Sequence, residues 1–184
     1  MYFKNIRIAA GKYLLRAEAE HVRRVKTAFN MFEARTFVIL FEGSRIDDVD
    51  LVKKYVNYLK EMKKKVRVIG FFNTEFPPDF TYSKLDYEFF SIKELNWHMK
   101  PSGTFVRSFL EEEFDVLIDL NFEDHFPLTY LSTLSNAHFK VGKFSTENQQ
   151  IFDLLIDTAK GKTFKYLLQQ VDIYLQMINK KTDT

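Results

Sequence analysis

The 184-residue sequence contains no cysteine. Disulfides, thiolate zinc sites and a cysteine nucleophile are therefore excluded, and a reducing compartment fits. Glycine is scarce, at six residues, and neither a G-x-G-x-x-G nor a P-loop pattern occurs. Phosphate cradling needs close backbone approach and hence glycine, so nucleotide binding of those two kinds finds no support and no cofactor is expected. No run of about 18 apolar residues is present, which leaves no membrane span. Met1-Tyr2-Phe3-Lys4 leads into a charged segment rather than a signal-peptide core, so a cytoplasmic location is expected. The four histidines are scattered without H-x-x-x-H or H-E-x-x-H spacing. Asp124-His125 with Ser132 or Ser135 suggests nucleophilic hydrolysis only weakly, because no G-x-S-x-G elbow accompanies them.

What is present is ordinary globular composition, 46% hydrophobic and 28% charged, in a length that suits one domain with a real core. Aromatics are plentiful, with 20 Phe and 9 Tyr, and each buries a large area. Net charge is only +2, yet residues 1–75 carry 16 Lys/Arg against 9 Asp/Glu and the remainder 11 against 16. A basic front half can meet phosphate, an anionic membrane face or an acidic partner. The plainer reading is that the two halves attract each other.

Residues 12–33 read as an amphipathic helix, with Leu15, Val22, Val25, Phe29 and Phe32 on one stripe and Gly11 separating it from what precedes. Thr36–Phe41 is a continuous apolar run, as in a strand buried on both faces of a parallel sheet. Asp47, Asp48 and Asp50 then open a helix closed by Lys60, Lys63, Lys64 and Lys65, the order that a helix dipole favours. A strand at 66–72 completes a βαβ unit. Asn73–Tyr82, with Pro77-Pro78, is a loop, and Tyr87–Ser91 an edge strand. A helix at Thr104–Glu113 follows, with Phe105, Phe109 and Leu110 inward. Next come the strand Phe114–Leu120, a helix opened by Pro127, the strand Phe139–Lys143 and a strand at Ile151–Asp157. The final helix spans Thr163–Asn179, with a second, weaker apolar face at Tyr166, Ile173 and Met177 that the first helix or a partner would cover. The fold class is thus α/β: a three-layer Rossmann-like sandwich around a mostly parallel sheet, plus an N-terminal amphipathic helix. The expected division is a basic helical segment over 1–35, one domain over 36–179 and a loose tail over 180–184.

The run Phe114-Asp115-Val116-Leu117-Ile118-Asp119-Leu120, then Pro127-Leu128-Thr129-Tyr130-Leu131, then Phe139-Lys140-Val141-Gly142 resembles the hallmark of a bacterial family of unknown function found mainly in Bacteroidetes. Leu95-Asn96-Trp97 and the Glu42-Gly43 strand end are similar to it too. That resemblance implies the fold and carries no activity. A more distant likeness is to one Rossmann-type half of heptosyltransferase-like glycosyltransferases. Such enzymes bind nucleotide-sugar between two halves, and this chain has length for one.

Ligands of open α/β sheets bind beyond the carboxyl ends of the strands, where strand order reverses. With the strand at 36–41 beside that at 115–120, Glu42, Asp47, Asp48, Asp119, Glu123 and Asp124 would crowd one crest, with Gly43 and Ser44 between them. One reading is a hard-cation or phosphate–magnesium site. The preferred one is helix caps and solvated loop acids. Arg16, Arg23, Arg24 and Lys26 form a candidate polyanion or partner face, extended by Lys53, Lys54, Lys60 and Lys63–Lys65. For RNA it would need exposed aromatics nearby, for which Tyr13, Tyr55 and Tyr58 are candidates. The expected function is non-enzymatic binding of an acidic protein or RNA. The alternative is a small enzyme or ligand-binding domain using the crest.

Overall fold

The computed structural model of the protein describes residues 2–77, 87–159 and 163–178. Residues 78–82 of the expected Asn73–Tyr82 loop and all of the expected tail lie outside these residues. The strands are β1 Thr36–Glu42, β2 Lys65–Phe72, β3 Tyr87–Ser91, β4 Val116–Leu120, β5 Phe139–Lys143 and β6 Leu154–Ile156. They form one sheet in the order β3-β2-β1-β4-β5-β6, and every pairing is parallel.

Side chains alternate between the two faces of a strand, so β1 feeds two cores at once. Phe37, Ile39 and Phe41 face the helices α2 (Ile46–Glu61) and α5 (Phe164–Met177). Val38 and Leu40 face the side covered by α1 (Tyr2–Ala19), α3 (Thr104–Glu111) and α4 (Phe126–Leu134). The chain leaves β1 in opposite directions, to β2 through α2 and later from β4 to β5 through α4. Right-handed crossovers then require those helices to lie on opposite faces, as they do. Burial by these layers, rather than helix propensity, stabilises the short helices: α3 has eight residues and inserts Val106 and Phe109.

One expected element is different. The helix spans Tyr2–Ala19 instead of 12–33, and a non-helical strap follows to the start of β1. Gly11 is no breaker: it is where α1 meets the 95–101 turn, and a Cβ there would stand 2.2 Å from the carbonyl oxygen of His98. The apolar stripe read from the sequence is split between the two cores. Leu15 and Val22 pack on the α4 side, Phe29 and Met31 on the α5 side. A helix rising about 1.5 Å per residue stays on one face, whereas extended chain at about 3.3 Å per residue crosses the lower, N-terminal end of the sheet. The strap is fixed by Thr27 N–H to the His138 carbonyl (3.2 Å) and Met31 N–H to the Leu175 carbonyl (2.8 Å). Arg24 clasps it with a two-pronged pair to Asp153, at 2.7 and 2.8 Å.

On α5 the main stripe Phe164, Leu167, Leu168, Val171 and Leu175 is buried as expected, but Ile173 and Met177 are exposed and no helix covers them. The charge asymmetry is partly spent on pairing between the halves, with Lys12 on Glu147, Arg24 on Asp153, and Arg67 on Glu88 and Glu112. Among the described residues no helix is long and apolar enough to cross a membrane.

Candidate functional site

The pairing of Phe41 with Leu120 puts the segments after β1 and β4 side by side, the arrangement on which the expected crest depended, and the switch in strand order falls between them. A cleft of about 300 Å³ opens there, between the start of α2, the loop after β4 and the start of α5. Glu42, Asp47, Asp48 and Glu123 line it together with Arg45 and Lys165. Burial pushes the Asp48 carboxyl up, against the pull of the Arg45 guanidinium 3.6 Å away. This acidic lining disfavours a phosphate and suits a cationic or hydroxyl-rich molecule. Among the described residues no three His, Asp or Glu side chains are grouped to hold a metal ion.

The other crest residues point elsewhere. Gly43 continues the β1–β2 ladder by its N–H to Phe71 (2.8 Å), and the Phe72 ring lies 3.0 Å from where a Cβ would be. That backbone is closed to a phosphate. Ser44 donates its hydroxyl to Glu42. Asp124 adopts φ 57° and pairs with Lys143 at 2.6 Å.

Asp119 is not in the cleft. Its register puts it on the α4 side, buried, where one carboxylate oxygen accepts the Asn121 N–H (2.7 Å) and the other the Ser132 hydroxyl. Burial raises its carboxyl to about 6. Asn121 stitches the same turn, accepting from His125 N–H at 2.7 Å and donating to the His125 carbonyl at 3.0 Å. Beside it, Lys140 is buried and donates to the last-turn carbonyls of Ser132 (2.7 Å) and Thr133 (3.1 Å), with burial bringing its ammonium down to about 7. Asn121, Ser132 and Lys140 went unnoticed as a polar network in the sequence. The available signal was a charged residue inside each of two apolar strands. Ser135 caps the end of α4 and accepts from Ala137 N–H, and it does not meet His125.

At the opposite, lower end the basic residues divide. Arg16 lies exposed in the last turn of α1. Arg23 and Lys26 are exposed on the strap, whereas Arg24 is turned inward on Asp153. Lys65 N–H bonds to the Arg35 carbonyl and Lys64 donates to the carbonyls of Phe32 and Ala34. The strap thereby meets the end of α2, and Arg35, Lys60, Lys63 and Lys65 are exposed beside it. From β2 to β5 this rim spans three strand spacings, roughly 14 Å. A cleft of about 550 Å³ opens within it, lined by Lys60, Lys64, Lys65 and Arg67 among others. Nearby carboxylates are engaged: Glu88 and Glu112 by Arg67, Asp115 by the N–H groups of Arg35 and Thr36. Of the tyrosines proposed for stacking, Tyr55 is buried, Tyr58 is half-buried, and Tyr13 is exposed on α1, away from the rim.

Six parallel strands in this order, with helices on both faces, define an α/β protein of Rossmann-like type. Residues 7–178 match the model of DUF6913, a family of unknown function, and the chain belongs to that family. No curated protein and no solved structure matches it.

Proposed function

We propose that the protein is a non-enzymatic binding protein of the cytoplasm that takes an acidic protein segment on its lower rim. The observation that carries this is the cleft of about 550 Å³ lined by Lys60, Lys64, Lys65 and Arg67, whose two lining acids, Glu88 and Glu112, are taken by Arg67, at the same end of the sheet as the exposed Arg23, Lys26, Arg35 and Lys63. Protein is favoured over RNA because, among the described residues, Phe32 is the only exposed Phe, Tyr or Trp on the rim, too few rings for single-stranded bases to stack on. The test is binding of a fluorescent polyglutamate peptide, and of mixed single-stranded RNA, at several salt concentrations. Polyglutamate is expected to bind, more weakly as salt rises. Lys63→Gln with Lys65→Gln is expected to reduce affinity on the order of tenfold at unchanged melting temperature. If the wild type ignores both polyanions at low ionic strength, the reading fails; RNA bound in preference to peptide would replace its partner class.

A second reading, a small-ligand or enzymatic role after the manner of one glycosyltransferase half, draws on the place of the upper cleft at the switch in strand order. A free sugar or polyol that raises the melting temperature, with the effect lost in Glu123→Gln, would favour it.

A further inference from the structure

Helix α1 is apolar on two opposite sides. Gly11 and Leu15 turn inward, against the 95–101 turn and the α4 side. Phe3, Ile6, Ala10, Tyr13 and Ala17 recur at steps of three and four on the outer side, and Phe3, Ile6 and Tyr13 are 83%, 54% and 75% exposed. Trp97 extends this patch. Its carbonyl accepts from Arg7 Nε at 2.7 Å, which holds the turn against the helix, and the residue is 59% exposed. A helix of a water-soluble protein normally shows polar residues on its outer face, so this one is built to be covered.

The charges identify the cover. Residues 2–17 contain no carboxylate, while Lys4, Lys12 and Arg16 stand on the same helix. Glu18, the first acid, is neutralised by Lys100 and by the Tyr130 hydroxyl. The outer face therefore offers Phe, Ile, Tyr and Trp flanked by Lys4, Lys12 and Arg16, with one acid, Glu147, paired to Lys12, so cations are in excess around it. Phe, Tyr and Trp are rings that settle at the boundary between headgroups and acyl chains, and long basic side chains reach the phosphates around them. A second copy of the chain would bring this same excess of cations against itself, with Glu147 already taken by Lys12. We propose that α1 and the Trp97 turn form a docking face for an anionic lipid bilayer, a function separate from the lower rim.

Trp97 is the only tryptophan, so its fluorescence reports on this face directly. The full chain is mixed with phosphatidylcholine vesicles, with and without phosphatidylglycerol, and followed by emission and co-sedimentation. With phosphatidylglycerol the emission is expected to shift to the blue and the protein to pellet. Phe3→Ser with Ile6→Ser should cut partitioning on the order of a hundredfold. Lys4→Gln should cut it about fivefold. Circular dichroism and the melting temperature of these variants should match the wild type, since each side chain points outward, and polyglutamate binding should be unaffected. Unshifted emission and protein left in the supernatant with anionic vesicles overturn the proposal. So does a lipid-independent dimer by light scattering that Phe3→Ser with Ile6→Ser converts to monomer, because the face then belongs to a second copy.

Discussion

The two ends of the sheet carry opposite charge and treat it in the same way. The upper end hides Asp119 and displays Glu42, Asp47 and Glu123; the lower end hides Lys140 and Arg24 and displays Arg23, Lys63 and Lys65. A parallel sheet returns every crossover from top to bottom, so α2, α4 and α5 all begin at the upper end and finish at the lower one. Their partial positive poles collect above and their negative poles below. Asp47 and Asp48 answer the start of α2, Lys60 sits in its last turn, and Lys140 closes the end of α4 by binding its carbonyls. The imbalance between top and bottom cuts across that between the front and back of the sequence, since Glu42 and Asp47 belong to the basic front half and Lys140 to the acidic back half. Hidden charges fix the fold, and displayed ones make at most local contacts, as Arg23 does with the Glu20 carbonyl and Glu42 with the Ser44 hydroxyl.

The comparison breaks most visibly if a hidden charge proves dispensable. Asp119→Ala strands the Ser132 hydroxyl and the Asn121 N–H in the interior and should cost about 2–5 kcal/mol in urea unfolding. A loss under about 1 kcal/mol would mean that water reaches those donors.

The hidden pair also sets opposite slopes of stability against pH. Burial holds the Asp119 carboxyl up at about 6 against an ordinary 3.8, so its contribution is fully present below 3.8 and is lost as pH rises to about 6. Burial brings Lys140 down to about 7 from 10.5, so its contribution is present above 10.5 and lost as pH falls to about 7. Asp119→Asn should remove the slope between pH 4 and 6 from the difference with wild type and leave the alkaline slope alone. An acid-side slope identical in both proteins would assign it to other carboxylates.

The smallest effect belongs to the displayed acids. Glu42→Gln and Glu123→Gln should each change stability by no more than about 0.5 kcal/mol, and neither magnesium nor calcium should raise the melting temperature of wild type. A cation-dependent rise lost in Glu42→Gln would turn the upper cleft into a metal site and sharpen the contrast with the lower end.

Much of this fold was legible because apolar runs such as Thr36–Phe41 and Val116–Ile118 have no use outside a doubly covered sheet. Apolar runs do not give the order of the strands, so the adjacency of β1 and β4, on which the upper cleft depends, came only with the structure. Composition could not say which way a crest acid points. Asp119 pairs with Leu40 in register and shares its face, so a loop acid became an interior one. The strap misled for a related reason: Leu15, Val22, Phe29 and Phe32 have helical spacing, but the first two serve one core, Phe29 the other, and Phe32 neither. Spacing reports a local period and is blind to a chain that changes sides.

That strap also orders events during synthesis. His138 Nδ1 meets the Val25 carbonyl across 113 residues of sequence, and Met31 waits for Leu175, near the end of α5. A segment made well before β5 and α5 therefore docks only once both exist to receive it. Until then Phe29 and Met31 have no core to enter, and the nascent chain carries them uncovered while the sheet assembles behind them.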